Sequence, residues 1–376
     1  MPTGDRPTGR IAVIGGGIAG AAACLRLQNH GLQPLWIAPE LSGRDKPGEH
    51  LAPAARPLLQ QLRAHHLLEA PCHRAANTLF SSWGSDALAE RHAAVHLEGP
   101  GTVLDRPRFE AGLRALAQQR GALSNTHPLQ TAEHNGEHWR LDLGDRRETA
   151  DFLIDASGRH AVIAKRQAKR FRSDQLIAAV SFLEQDPESP VTPTPATLIE
   201  AVADGWWYAA LLADGRLVLN FFSDGQCLPD GLSRNTDVWQ HLIKGSTHIQ
   251  RWIREAAFQI THPPVLNSAG TTWIAPAAGD AWLAVGDASA AFDPLSSHGM
   301  TTALWSAIQG ADAAVEALCG NSSKLHRYAD AVAQGVHEFL QARNRIYAQE
   351  LRFKDQDFWS RRIQNIPAEG VTDTGM

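Results

Sequence analysis

The chain is 376 residues long, 43% hydrophobic and 20% charged, which is ordinary for a soluble globular protein and enough for two lobes with a substantial core. No apolar run is long enough to span a bilayer, so no membrane is expected, and a formal net charge of −5 gives no reason to expect nucleic acid. Four scattered cysteines without CxxC spacing argue against a disulfide framework or a zinc site, and the polar N-terminal residues lack a signal-peptide core, so a metal-free, cytoplasmic protein is expected.

Ile11-Ala-Val-Ile14 reads as a buried strand that runs into Gly15-Gly16-Gly17-Ile18-Ala19-Gly20 and an alanine-rich helix. This is a GxGxxG fingerprint in the strand–turn–helix setting that gives it meaning. Gly15 permits the tight turn, Gly17 lets a pyrophosphate approach the backbone, and Gly20 lets helix and sheet pack closely. The helix start at Ile18 and Ala19 offers free N–H groups and a positive dipole end to phosphate. The second strand is Leu35-Trp36-Ile37, and an acidic residue at its end normally holds the ribose hydroxyls. Ala38 stands there instead, so either a bulge brings Glu40 to the ribose or another group serves; Glu40 is the candidate.

Further along, Pro53 to Glu69 reads as a helix rich in leucine, with His65 and His66 solvated. Leu79 to Ser85 and Ala93 to Leu97 read as short strands, and Arg106 to Arg120 as an amphipathic helix with Phe109, Leu113 and Leu116 on one face. Trp139–Leu143 and Asp151–Asp155 are strands. The middle third alternates like an antiparallel sheet over Leu176–Glu184, Thr197–Val202, Trp206–Leu212 and Arg216–Ser223, with turns at Asp204-Gly205 and Asp214-Gly215. Val238 to Ala257 reads as helical, Trp282 to Val285 as a buried strand and Gly299 to Leu318 as a small-residue helix. Leu325 to Ile363 reads as a long polar helix or helix pair, whose Arg343, Arg345, Arg352, Arg361 and Arg362 are expected on a solvated face able to dock an acidic partner. Trp206, Trp207 and Tyr208 suit sheet packing better than a pocket.

A second signal lies far from the first. Trp282-Leu-Ala-Val-Gly286-Asp287 is a strand ending in Gly-Asp, which puts a carboxylate at the sheet edge where ligands of open α/β folds bind. Asp293-Pro294-Leu-Ser-Ser-His298-Gly299 then leads into a helix whose N–H groups can stabilise negative charge. Paired with GxGxxG, and with Asp155-Ala-Ser157-Gly158-Arg159 between, the Gly-Asp becomes specific.

With these motifs the chain resembles the two-domain FAD-dependent hydroxylase-like flavoproteins, which include aromatic monooxygenases and tryptophan halogenases. The resemblance implies an α/β fold with a Rossmann-type FAD-binding lobe and an inserted antiparallel-sheet substrate lobe. The FAD lobe would take 9–165 and 270–322, with part of 50–100 able to join the substrate lobe of 166–269, and 323–376 would form C-terminal helices. It assigns Gly15, Gly17, Ile18, Ala19 and Gly20 to the pyrophosphate, and Gly286 and Asp287 to the ribityl chain. Pro294 and Gly299 would lie along the isoalloxazine, and Arg106 of Leu104-Asp105-Arg106 would be the flavin-contacting arginine.

Within that family the chain is most similar to the flavoproteins that mature quinone-cofactor enzymes such as lysine ε-oxidase and glycine oxidase. The residues that carry this are Lys46-Pro-Gly48-Glu49-His50-Leu, Ser82-Trp83-Gly84-Ser85, Asp204-Gly-Trp206-Trp207-Tyr208, Asp293-Pro-Leu-Ser-Ser-His-Gly299 and Phe358-Trp359-Ser-Arg361-Arg362. His50 stands where serine is usual and His298 where glutamine is common. The resemblance implies an FAD-dependent monooxygenase that uses O₂ to oxygenate a tryptophan of a precursor protein. The alternatives are a flavin monooxygenase of a small aromatic metabolite, and a flavin-bound accessory protein without catalysis. Glu49, His50, Asp293 and His298 are the acid–base candidates; Asp293 could equally cap the helix after it. Halogenation is not expected, because no lysine lies between Lys46 and Lys165, where the halogen-carrying lysine should fall, and the Trp-x-Trp-x-Ile-Pro motif is missing.

Overall fold

Four short apolar runs, Ile11–Ile14, Leu35–Ile37, Phe152–Asp155 and Trp282–Ala284, lie side by side as parallel strands. Runs buried on both faces are what a parallel sheet demands. Leu123–Asn125 extends the sheet beyond Leu35–Ile37, and Ala278–Gly279 closes the other edge antiparallel, giving six strands. The structure, a computed structural model, describes residues 9–40, 45–93 and 98–363. Ile11–Ile14 has Leu35–Ile37 on one side and Phe152–Asp155 on the other, so its C-terminal end is the switch point where such sheets bind ligands.

The two faces of this strand serve different cores. Ile11 and Val13 meet the helices Ile18–Asn29 and Gly299–Leu318, whose alanines let them pack closely on each other. Ala12 and Ile14 meet a layer containing the fully buried Trp139 and Leu141 of a three-stranded sheet. Each such aliphatic side chain contributes about 1.5–3 kcal/mol by leaving water.

The second lobe is an antiparallel sheet built on Leu176–Gln185, Leu217–Asp224, Gly205–Leu211 and Ala196–Val202, with Thr78–Ser82 added parallel and Ala89–His92 at its edge. Trp207 points to one face, among Trp239, Ile243 and Ile249 of two covering helices. Trp206 points to the other, among Tyr347, Phe358 and Trp359. Both indoles are core.

Several elements differ from the sequence reading. Val238 to Ala257 is two helices, Thr236–Lys244 and His248–Glu255. The break is held by Glu200, whose carboxylate accepts from the amides of Thr247, His248 and Ile249 at 2.6, 3.0 and 2.8 Å. Pro53 to Glu69 is a helix over Ala55–Gln61 and a tighter turn over His65–Glu69, separated at Arg63, where φ is +52°. The expected strand at Ala93 to Leu97 falls, apart from Ala93, outside the described residues.

Of the five C-terminal arginines expected on a solvated face, Arg345 and Arg361 are exposed and Arg343, Arg352 and Arg362 are not. Arg343 is buried with its guanidinium 2.5 Å from Asp174, and Arg362 is buried with two hydrogen bonds to Asp224 at 2.8 and 3.0 Å. Arg352 pairs with the fully buried Glu350, while Arg345 is exposed. The helices Ser323–Tyr347 and Asp357–Ile363 are thereby pinned to the second lobe, because a buried guanidinium must find its carboxylate. Among the described residues no helix is long and apolar enough to cross a membrane, and no cluster of His, Cys, Asp or Glu is placed to hold a metal.

Candidate active site

The glycine loop has the geometry its spacing requires. Gly15 has φ +122°, and a Cβ there would sit 2.2 Å from the Ala156 carbonyl; a Cβ at Gly20 would meet the Gly15 carbonyl at 2.0 Å. Trp36 ties the turn down, its indole N–H donating to that carbonyl at 2.8 Å. At Gly17, by contrast, a Cβ would meet nothing within 4 Å, and no side chain caps the helix that follows. Open space over uncapped amides is what a phosphate needs.

Gly286 comes to the same place from the other end of the chain. Its φ is +58°, and a Cβ there would be 2.8 Å from that of Ala19, in the first turn of the glycine-loop helix, and 3.6 Å from that of Ala303 in the helix Gly299–Leu318. Asp287 is half-exposed beside this junction, with Arg159 Nε at 3.6 Å. Gly299 opens its helix where a Cβ would meet nothing within 4 Å, and the His298 side chain does not cap it. The Thr301 hydroxyl in that first turn is buried without a partner. Gly15, Gly17, Ile18, Ala19, Gly20, Gly286, Asp287 and Gly299 therefore gather around two helix starts that could receive a dinucleotide.

Arg106 opens its helix behind the Asp105 cap, which accepts from the Arg108 amide at 3.1 Å. Its guanidinium binds Glu110 at 2.9 Å and the carbonyls of Pro47 and Gly48, so it holds the turn that carries Glu49 and His50. Glu40 is exposed at the end of its strand. The group that closes on this strand end is Arg114, which donates to the carbonyls of Ala38 and Pro39 at 2.6 and 2.8 Å. Arg114 was missed in the sequence, where it reads as one more polar position of an amphipathic helix.

Glu49 and His50 lie at the seam between the lobes. Glu49 is 2% exposed; Oε2 accepts from the Gly48 amide at 3.0 Å, and Oε1 is buried with no donor. Burial raises its carboxyl above the ordinary range, partly offset by the neighbouring Tyr208 phenol and Arg106. His50 pairs in a strand with Val103, and burial together with the charge of His298 lowers its imidazole. Its Nδ1 is buried without a partner. The Tyr208 hydroxyl, beside Glu49 and Thr197, and Asn220 Oδ1, on facing positions of adjacent strands, are buried without a well-directed hydrogen bond. A cavity of about 400 Å³ opens here, lined by His50 and Ser297 from the first lobe and by Thr197, Ile199 and Tyr208 from the second.

Asp293 does not join this group. It is fully buried and capped onto the turn Pro294–Ser296, accepting from the Leu295 amide at 2.9 Å, while the Tyr347 hydroxyl donates to its other oxygen at 2.8 Å. Tyr347 in turn accepts from the Trp206 indole at 3.1 Å. The capping role is the one its sequence position allowed; the link to Tyr347 had no local signal.

The sequence profile of the tryptophan halogenase family matches residues 99–372. The FAD-dependent oxidoreductase assigned as LodB in Marinomonas mediterranea is 26% identical over 366 residues, covering 93% of this chain and 95% of the relative. Among solved structures, the peptidyl tryptophan dihydroxylase QhpG, essential for tryptophylquinone cofactor biogenesis, is 25% identical with a TM-score of 0.75, covering 98% of this chain and 80% of its own. The flavin-dependent halogenase CmlS has the same fold, with a TM-score of 0.83 at 20% identity over 94% of this chain and 67% of its own. The match over most of the chain, with the two-lobed fold, makes this protein a member of the tryptophan halogenase family and an FAD-dependent oxidoreductase.

Proposed function

We propose that this protein is a monooxygenase that oxygenates a tryptophan side chain of a partner protein, on the way to a tryptophan-derived quinone. The FAD pyrophosphate would lie at Gly15, Gly17, Ile18, Ala19 and Gly20, its ribityl chain at Gly286 and Asp287, and its ring against the segment Pro294 to Gly299. The open Gly17 and Gly299 positions and the unpaired Thr301 hydroxyl fit such a ligand. When bound, the flavin supplies the O₂ chemistry. In balance, an aromatic C–H, O₂, two electrons from an external reductant and two protons become C–OH and water. The protein's own part is to orient the ring, exclude water and hold protons. His50 and Glu49 would hold protons at the seam, and the N–H groups from Gly299 onward would stabilise charge.

The observation that carries the reading is the cavity between the lobes. It is large enough for an indole, has the buried His50 Nδ1 and Tyr208 hydroxyl among its lining residues, and has no lysine in its lining. The chain also lacks any lysine between Lys46 and Lys165, which weighs against halogen transfer although halogenases are among its relatives. QhpG, a peptidyl tryptophan dihydroxylase whose match covers 98% of this chain, supports the oxygenase side. The test is mass spectrometry of a candidate partner co-expressed with and without this protein. The expected result is oxygen added to one tryptophan-containing peptide only when the protein is present. An unchanged partner, or a halogen isotope pattern on the peptide, would overturn the reading.

A further inference from the structure

Tyr208 sits in the middle of the strand Gly205–Leu211, opposite Ile199, and faces the cavity between the lobes. Its hydroxyl is buried and completes no well-directed hydrogen bond with the protein. Glu49 lies beside it from the other lobe, with Oε1 buried and without a donor. Glu49 also lines a second cavity, of about 310 Å³, together with Lys46, Asp105, Arg106 and Arg216. The carboxyl and the phenol are thus the partition between two cavities, and each carries an unsatisfied atom.

Such atoms are rare in folded proteins and ask for an explanation. A phenol has one hydrogen and two lone pairs. Burial, and then the neighbouring Glu49, hold the Tyr208 proton well above its ordinary range, so the hydroxyl stays intact at neutral pH. With the phenol hydrogen directed to Glu49 and the Thr197 hydroxyl on one lone pair, the other lone pair of the phenol oxygen remains for a donor in the cavity. An indole N–H is a donor and nothing else.

We propose that Tyr208, backed by Glu49, is the acceptor that recognises the indole N–H of the substrate and so sets its specificity for tryptophan. This rests on the peptidyl-tryptophan reading above. The chain from N–H to the Tyr208 oxygen, and from Tyr208 to Glu49 Oε1, satisfies both orphan atoms at once. It also draws the indole hydrogen toward the protein and leaves the ring richer in electrons, as attack on an oxygen atom requires. A ring without the N–H leaves the remaining lone pair of the phenol oxygen unmet, which is how a site built on a hydrogen bond rejects an isostere.

The chain has three tyrosines, Tyr208, Tyr328 and Tyr347, so labelling tyrosine Cζ with carbon-13 gives the FAD-loaded protein a spectrum of three lines. The probes are N-acetyltryptophanamide and its benzothiophene analogue, in which sulfur replaces the N–H. The tryptophan probe should bind and move the Tyr208 line, leaving that of Tyr328. The sulfur analogue should bind about 100-fold more weakly, and Tyr208→Phe should remove most of that difference. Glu49→Gln should move the Tyr208 line with no probe present. Retained FAD absorbance reports that each variant is folded. Equal binding of the two probes by the wild type, discrimination that survives Tyr208→Phe, or a Tyr208 line indifferent to both the tryptophan probe and Glu49→Gln would overturn the proposal. If the partner tryptophan is oxygenated while any of these holds, the recognition falls and the oxygenase reading stands. If the tryptophan probe does not bind and the partner is unmodified, both fall.

Discussion

Glu49 and Asp293 are both buried carboxyls whose acidity burial weakens, and their surroundings are opposite. Asp293 accepts from the Leu295 amide and the Tyr347 hydroxyl, while its own amide donates to Thr271 Oγ1 at 3.1 Å. Glu49 keeps one oxygen with a backbone amide and leaves the other without a donor. Burial alone does not separate them. Satisfaction does. A carboxyl whose lone pairs are spent inside the protein is a bolt, and one that keeps an empty acceptor is poised for something that arrives later. The sequence treats the two alike as acid–base candidates; the structure ties Asp293 to the C-terminal helix instead.

The largest effect that tests this contrast is Asp293→Ala. It would leave the buried Tyr347 O–H without its acceptor and free the turn Pro294–Ser296, at a cost of about 3 kcal/mol or more. Asp293→Asn should lose less, since the amide can still accept from Leu295 and donate to Tyr347. Chemical denaturation of the two variants checks the order. Next comes Tyr347→Phe, which strips the partner from Asp293 and from the Trp206 indole and should cost about 2 kcal/mol. Wild-type stability in all three variants, together with lost oxygenation, would reverse the contrast and return Asp293 to the chemistry.

What was legible in the sequence was local. Gly15 and Gly20 are read from their spacing because each meets a backbone constraint within a few residues or at the next strand, and Gly17 because the space over it is open. The Gly286-Asp287 strand end is read for the same reason. The antiparallel middle is legible from its alternation and turn glycines, down to Trp206 and Trp207 pointing to opposite cores. The rest depends on partners far away along the chain. Arg362 meets Asp224 across 138 positions, and its charge alone reads as surface. Tyr347 meets Asp293, and Tyr208 meets Glu49, only after the second lobe folds onto the first. Arg114 closes on Ala38 and Pro39, the place where an acid was sought, by reaching from a helix whose apolar stripe says nothing of its polar contacts.

Glu49→Gln tests the other half of the contrast, and its sign follows from burial. A carboxyl raised on folding binds its proton more tightly in the folded protein than in the unfolded chain. Its contribution to stability is complete below the ordinary glutamate range and is lost as pH rises through the raised value. Glutamine has no such proton. The variant should therefore match or exceed the wild type in stability at about pH 8, with the difference shrinking or changing sign toward about pH 4. Thermal unfolding across that range measures it. A variant markedly less stable at the upper end would mean that Glu49 is a satisfied, structural carboxylate like Asp293.

The smallest effect is expected at His298, which lies in front of the helix Gly299–Leu318 and is exposed. It touches the contrast through His50, whose imidazole is lowered first by burial and then by the charge of His298. A histidine lowered on folding contributes stability above its unfolded range and loses it as pH falls through the folded value. His298→Gln removes the second cause and keeps the first. The His50 imidazole should then titrate at a higher pH than in the wild type, yet still below an unperturbed histidine at about 6.5. Proton-detected titration of the His50 ring, assigned with His50→Gln, reads this directly. FAD binding should be nearly unchanged, because an amide can donate as an imidazole N–H does and the helix N–H groups remain. An unmoved His50 titration would show that the two histidines do not sense each other. The proton store at the seam would then be Glu49 and His50 alone. A large loss of FAD would show the opposite fault, with His298 holding the cofactor and not merely tuning its neighbour.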